Sequence, residues 1–291
     1  MISSLHASRQ PPPWLRCVLL WVLFLGLLFA GSIFTAPLFP GQGKRLAYGI
    51  TGTVAALAAT LAVLRWSKDR WADAGLRWSR YSVPRFLGGL LLGLALLAAV
   101  LPLIYISTGI YPALHPDAGA RLLLPLAVFF PLALMEEIAF RGYPFTLLQR
   151  RYGLWAAQGI TAAAFALYHI VTGWPVLGSL LGPGTWAFVF GIAAARTGGL
   201  AWPTGIHTGL NVGQAVVGLG MAATGPSFFQ LRAPDGSTGA ALAAAMMPAG
   251  LCAQVIFLSA ALGLTLRLAR RRAATSPPAQ QAATPLAAAP R

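Results

Sequence analysis

Acid is what this chain has least of. Six Asp and Glu stand among 291 residues, and only two of them are glutamates, Glu136 and Glu137. All charged residues together make 9% of the chain, against about a quarter in a soluble domain. That is too little charge to coat a water-facing surface, which excludes a soluble globular protein. Cysteine is nearly missing as well. Cys17 and Cys252 both fall in apolar runs, so there is no disulfide framework, and neither has a histidine close by in sequence to make it a nucleophile. Neither an internal repeat nor a separate soluble domain is visible.

What is present is apolar. Hydrophobic residues make 57% of the chain and the mean hydropathy is +0.69, values of an integral membrane protein. Runs long enough to span a bilayer lie at about 14–36, 46–64, 86–107, 122–149, 154–172, 176–195, 199–223 and 241–266. The pattern predicts an all-α membrane protein of eight transmembrane helices, one polytopic domain over 14–272. The first run is too long for a signal-peptide core and reads as a retained span. Gly182-Pro183-Gly184 breaks the sixth, which is kinked or partly re-entrant. Residues 1–13 read as a disordered lead, and 273–291, rich in Ala and Pro, as a disordered tail.

The net charge of +15 fits topology better than a nucleic-acid partner. With eight spans and an inner N-terminus, sixteen of the 21 Lys and Arg fall in inner segments. Lys44, Arg45, Arg121 and Arg232 fall outside, and Arg141 alone within the membrane. That bias predicts cytoplasmic termini by the positive-inside rule, in a membrane such as a bacterial cytoplasmic membrane. The basic connector 65–85, with Trp66, Trp71 and Trp78, suits an anionic lipid surface or is an ordinary basic loop.

Both glutamates sit inside the fourth run, where an ionised group costs about 2.5–3.5 kcal/mol or more. Glu137 and Arg141 are four apart and share a helical face, so they can pair. Glu136 is turned about 100° away and left for a partner outside its helix. Two further groups stand in other spans: Phe165 and His169, and His207 with Asn211 one turn on. Counted at 1.5 Å per residue, Glu136 lies about 20 Å deep, His169 about 22 Å, and His207 to Asn211 about 12–18 Å. All reach the membrane interior. A carboxylate and an imidazole can take a proton from water there, while a second imidazole and an amide hold an oxyanion.

The three motifs, EExxxR at Glu136–Arg141, FxxxH at Phe165–His169 and HxxxN at His207–Asn211, resemble those of the CPBP family, the CAAX-protease and bacteriocin-processing (Abi) intramembrane proteases. The resemblance covers about 121–223. It implies an endopeptidase acting on membrane-associated peptide or lipidated protein substrates, in a bundle around a conical cavity open towards the cytoplasm. It implies Glu136 as general base with His169, His207 and Asn211 as oxyanion site, and Glu137, Arg141 and Phe165 in support. The family is described both as metallo- and as glutamate-type. A zinc ion would draw on Glu136, His169 and His207, but an Asn is an unusual fourth ligand, so metal-independent hydrolysis is expected. Two other classes fit intramembrane Glu, Arg and His: a proton-coupled carrier, for which no inverted repeat is seen, and a non-catalytic scaffold or immunity member of the family.

Overall fold

A computed structural model of the chain describes residues 10–116, 118–119, 126–219 and 227–275. Of the expected disordered lead (1–13) and tail (273–291), residues 1–9 and 276–291 therefore fall outside the described residues, as does the start of the fourth run. Residues 10–12 are without regular structure, whereas Pro13 already belongs to α1 (Pro13–Thr35) and the last helix runs on to Thr275. Pro13 opens α1 because its missing N–H is one that a first helical turn leaves unused.

The chain continues through α2 (Gln42–Ser67), α3 (Ser82–Ala98), α4 (Val100–Thr108), α5 (Phe129–Arg141), α6 (Tyr143–Val171), α7 (Val176–Leu181), α8 (Pro183–Thr197), α9 (Ala201–Val217) and α10 (Gly239–Thr275). Among the described residues, six stretches are long and apolar enough to cross a membrane: Pro13–Leu38, Gly43–Ser67, Ser82–Thr108, Phe129–Val171, Val176–Thr197 and Gly239–Ala274. The count differs from eight for two physical reasons. The 43-residue stretch runs through α5 and α6 with only Gly142 between them, and α9 has only 17 residues. Yet Gly142 (ψ −124°) and Gly153 (φ 85°) leave helical geometry inside the long stretch. Its later arm folds back on α5, so that Phe140 packs on Phe165 and Tyr168.

The helices that matter most for the interior pack through glycine. On α3, Gly89 and Gly93 face Gly205, Gly209 and Gly213 of the parallel α9. A Cβ on Gly93 would stand 2.2 Å from the Ile206 carbonyl oxygen, and one on Gly209 2.2 Å from that of Leu90. In a bilayer, where apolar burial no longer drives association, such backbone contact is what small residues at four-residue spacing provide. Gly49 of α2 does the same against the backbone of Pro131 and Leu132 of α5, and Gly52 leaves room for the Met135 side chain. An aromatic core of Trp21, Phe24, Phe140, Phe165 and Tyr168 fills the space between α1, α5 and α6, and Trp21 Nε1 donates to the Ala139 carbonyl at 3.0 Å.

One feature departs from an all-helical expectation. β1 (Tyr111–Leu114) pairs antiparallel with β2 (Phe229–Arg232), Tyr111 opposite Arg232. The two strands follow α4 and α9 and satisfy each other's backbone where those helices have ended. Gly182 (φ −81°, ψ −93°) separates α7 from α8, so the sixth run is broken at the glycine-proline step.

Candidate intramembrane active site

α5 carries both glutamates on buried backbone, and the helix turns that put them there set their different surroundings. Glu137 is wholly buried. Its Oε1 accepts from Nδ1 of His207 on α9 at 2.9 Å and lies 3.5 Å from Nη1 of Arg141 one turn further on. Arg141 is itself almost without exposure and spreads its guanidinium over the rings of Phe165, at 4.3 Å, and Phe190, at 5.2 Å. A buried guanidinium with one carboxylate and two ring faces is shielded from lipid by electrostatics on both sides.

Glu136 points the other way, into a cavity of about 840 Å³ whose walls also hold His169, His207 and Asn211. Its Oε2 lies 3.6 Å from Nε2 of His207, so that one imidazole stands between the two adjacent carboxylates. Phe190 stacks on that imidazole at 4.5 Å and 15°. The glycine seam between α3 and α9 sets how far His207 reaches towards α5.

His169 sits near the end of α6, held by rings. Phe165, Tyr168 and Trp174 all meet it edge-on, at 4.6, 5.1 and 5.1 Å. Its Nδ1 is 2.9 Å from the Phe165 carbonyl oxygen. A carbonyl only accepts, so Nδ1 carries the hydrogen, and Nε2 of a neutral ring is left with a lone pair. Asn211 lies one turn beyond His207 on α9 and lines the same cavity. The structure thus brings Glu136, His169, His207 and Asn211 to one cavity, with Phe165 in its wall and Glu137 and Arg141 behind it.

Other groups share the cavity without any signal in the sequence. Tyr48 of α2 and Tyr168 of α6 line it with their hydroxyls 3.4 Å apart. A tyrosine in an apolar helix is an ordinary core residue, so nothing marks these two. Phe190 is equally unmarked.

The zinc set is another matter. Among the described residues, no group of three or more His, Cys, Asp or Glu is arranged to hold a metal ion. His207 gives Nδ1 to Glu137, which leaves it a single nitrogen on the cavity side.

The cavity also has a side. Arg16 pairs with Asp69 at 2.8 Å and Arg150 with Asp73 at 2.5 Å, while Arg272 reaches the Ala195 carbonyl; these contacts gather the basic segments at one end of the bundle. The walls reach instead to Thr35, Lys44, Thr172 and Pro183, at the opposite end. A cavity open towards the cytoplasm and a basic cytoplasmic end are therefore incompatible in this structure.

Residues 118–213 match the family described as Type II CAAX prenyl endopeptidase Rce1-like. Over that third of its length the chain is similar to a CAAX-type protease. The match runs from ahead of α5 into α9 and holds all three motifs, in agreement with the CPBP resemblance. No curated protein matches the chain. With six membrane-length apolar stretches among the described residues, two of them inside the matched region, the chain is an integral, multi-pass membrane protein.

Proposed function

We propose that this chain is an intramembrane endopeptidase that hydrolyses peptide bonds of membrane-associated substrates through an activated water. The observation that carries this is the sharing of one cavity by Glu136, His169, His207 and Asn211, with Glu137 and Arg141 neutralising each other behind them. Glu136 takes the proton of a water as it attacks the scissile carbonyl. In its imidazolium form His207 gives Nδ1–H to Glu137, which fixes the ring, and presents Nε2–H together with the Asn211 amide to the oxyanion of the tetrahedral adduct. The lone pair on His169 Nε2 takes up a proton in relay, and the proton passes to the leaving amine as the C–N bond breaks. No metal is needed for this sequence of steps, and activity is expected to survive a strong chelator; loss on chelation with rescue by Zn²⁺ alone would overturn that part.

The same reading has eight crossings, with the two arms of Phe129–Val171 counted separately and α9 added, in one domain over 14–272 with its core at about 121–223. Both termini lie on the basic, cytoplasmic side. Partners are lipid and a peptide or lipidated protein, with no nucleic acid.

The test is a comparison of membrane and secreted peptides between a strain with the parent protein and one with Glu136→Ala, by mass spectrometry of chain termini. Fragments present only with the parent are expected; identical sets at equal protein level would overturn the hydrolytic reading.

A further inference from the structure

Fourteen Lys and Arg among the described residues stand at the end that holds the Arg16–Asp69 and Arg150–Asp73 pairs, and three, Lys44, Arg45 and Arg232, stand at the other. By the positive-inside rule the crowded end faces the cytoplasm. The cavity that holds Glu136 opens at the sparse end, between the start of α2 and the turns at 172–174 and 182–183. Two of the three basic residues there, Lys44 and Arg45, line its mouth. Gly52 packs on Met135 beside Glu136, so Lys44 stands eight residues, about 12 Å of helix, outward of the glutamate level. Between mouth and glutamate the walls are apolar and aromatic, with Phe29, Phe129, Leu132 and Trp186.

We propose that the cavity takes its substrate from the non-cytoplasmic face of the membrane, as an apolar segment bearing an anionic group that meets Lys44 and Arg45 at the mouth. Cations are disfavoured on that side of a membrane protein, and two are nevertheless set on the rim of the cavity that holds Glu136. An apolar wall takes the anchoring segment out of water, and the basic rim fixes which end of it stays at the surface. The word substrate rests on the hydrolytic reading above; the access side and the anionic group do not.

Two measurements test this without needing turnover. In a Cys252→Ser background, Thr172→Cys in right-side-out vesicles should react with a membrane-impermeant maleimide, and Arg77→Cys only after permeabilisation. Lys44→Cys repeats the mouth reading should Thr172→Cys fold poorly. The reverse labelling pattern overturns the access side even if the enzyme proves active, and the expected pattern stands even if it proves inactive. For the anionic group, the probe is an N-acylated apolar pentapeptide, as free acid and as C-terminal amide, binding to the Glu136→Gln protein by quenching of tryptophan fluorescence. The acid should bind about 10-fold more tightly than the amide, and Lys44→Glu should erase the difference. Equal binding of acid and amide to the protein with Lys44 overturns the anionic arm.

Discussion

Two charge clusters hold this bundle together, and they are built on opposite terms. At the basic end, Asp69 accepts from Arg16, from Ser67 at 3.0 Å and from the Tyr143 hydroxyl, while Arg16 also donates to the carbonyl of Pro11 and the side chain of Gln10. Every charge there has partners to spare, and Asp69 keeps 17% exposure. In the interior, Glu137 and Arg141 have none, and Glu137 Oε2 and Arg141 Nε and Nη2 have no hydrogen-bond partner among the described residues. A fold seeking only stability would do better with apolar side chains at those positions. The first cluster is an anchor; the second is retained at a cost because of what lies beside it, which is Glu136 and its cavity.

The sharpest way to break the comparison is at Glu136, which takes part in neither cluster's ion pairs except through His207. Glu136→Gln removes a base and leaves Glu137 and Arg141 paired. Peptide cleavage should fall by about 10²–10⁴-fold, while detergent-state melting stays close to that of the parent. A variant that melts early would place Glu136 among the structural charges instead.

Glu137→Gln should do the opposite in stability and part of the same in activity. Removing one partner of a buried pair leaves the other uncompensated, about 3–5 kcal/mol. Because Glu137 also accepts from His207 Nδ1, the loss reaches the cavity. An amide can turn its oxygen to that N–H, so residual activity per folded molecule should exceed that of Glu136→Gln. Unfolding and cleavage measured on the two variants side by side decide it. A folded but fully inactive Glu137→Gln would reverse the two roles.

How far these clusters are legible in sequence follows from residue type. Glutamate, arginine, histidine and asparagine stand out against apolar helices because each is expensive there, and the i,i+4 spacing alone pairs Glu137 with Arg141. Spacing does not show that His207 of another helix reaches between the two carboxylates, since that depends on how closely α9 approaches its neighbours. The cue for that approach is in the sequence, in glycines four apart at 89 and 93 and at 205, 209 and 213. The fold-back of α6 on α5 is carried by Gly142 and Gly153, which break a run whose hydropathy alone reads as continuous. Tyr48 and Tyr168 carry no signal at all. Neither does the side on which the cavity opens, because loop charges orient helices without saying where the space between them lies.

At the basic end the expected losses are smaller. Asp69→Asn keeps the shape and removes the charge on which Arg16, Tyr143 and Ser67 converge. Hydrogen bonds to a charged group contribute about 1.5–3 kcal/mol, and partial exposure places this one in the lower part of that range. Melting in detergent should drop by that amount, with cleavage per folded molecule unchanged. A loss as large as that of Glu137→Gln would remove the contrast between a hydrated and a dry cluster.

The smallest effect belongs to the Asp73–Arg150 bridge, and pH is the lever on it. Asp73 sits in the short helical turn Trp71–Ala74 of the basic connector, where the hydrogen bond from Arg150 holds its carboxyl below the ordinary value, helped by the backbone N–H of Arg70 at 3.2 Å. A carboxyl lowered on folding adds stability that is present above its unfolded value, about 3.9, and is lost as pH falls through its lowered folded value. The side chains of Asp73 and Arg150 are 33% and 54% exposed, so water and salt screen most of the attraction. What remains is about 0.2–1 kcal/mol, the range of a surface pair. The parent should therefore melt slightly above Asp73→Asn at pH 6 in low salt, with the gap closing below about pH 4 and narrowing in concentrated salt. Taking the difference between the two proteins cancels the contribution of every other carboxyl, which both share. A gap that persists at low pH, or that ignores salt, would mean that the connector is held to α6 by packing and not by charge.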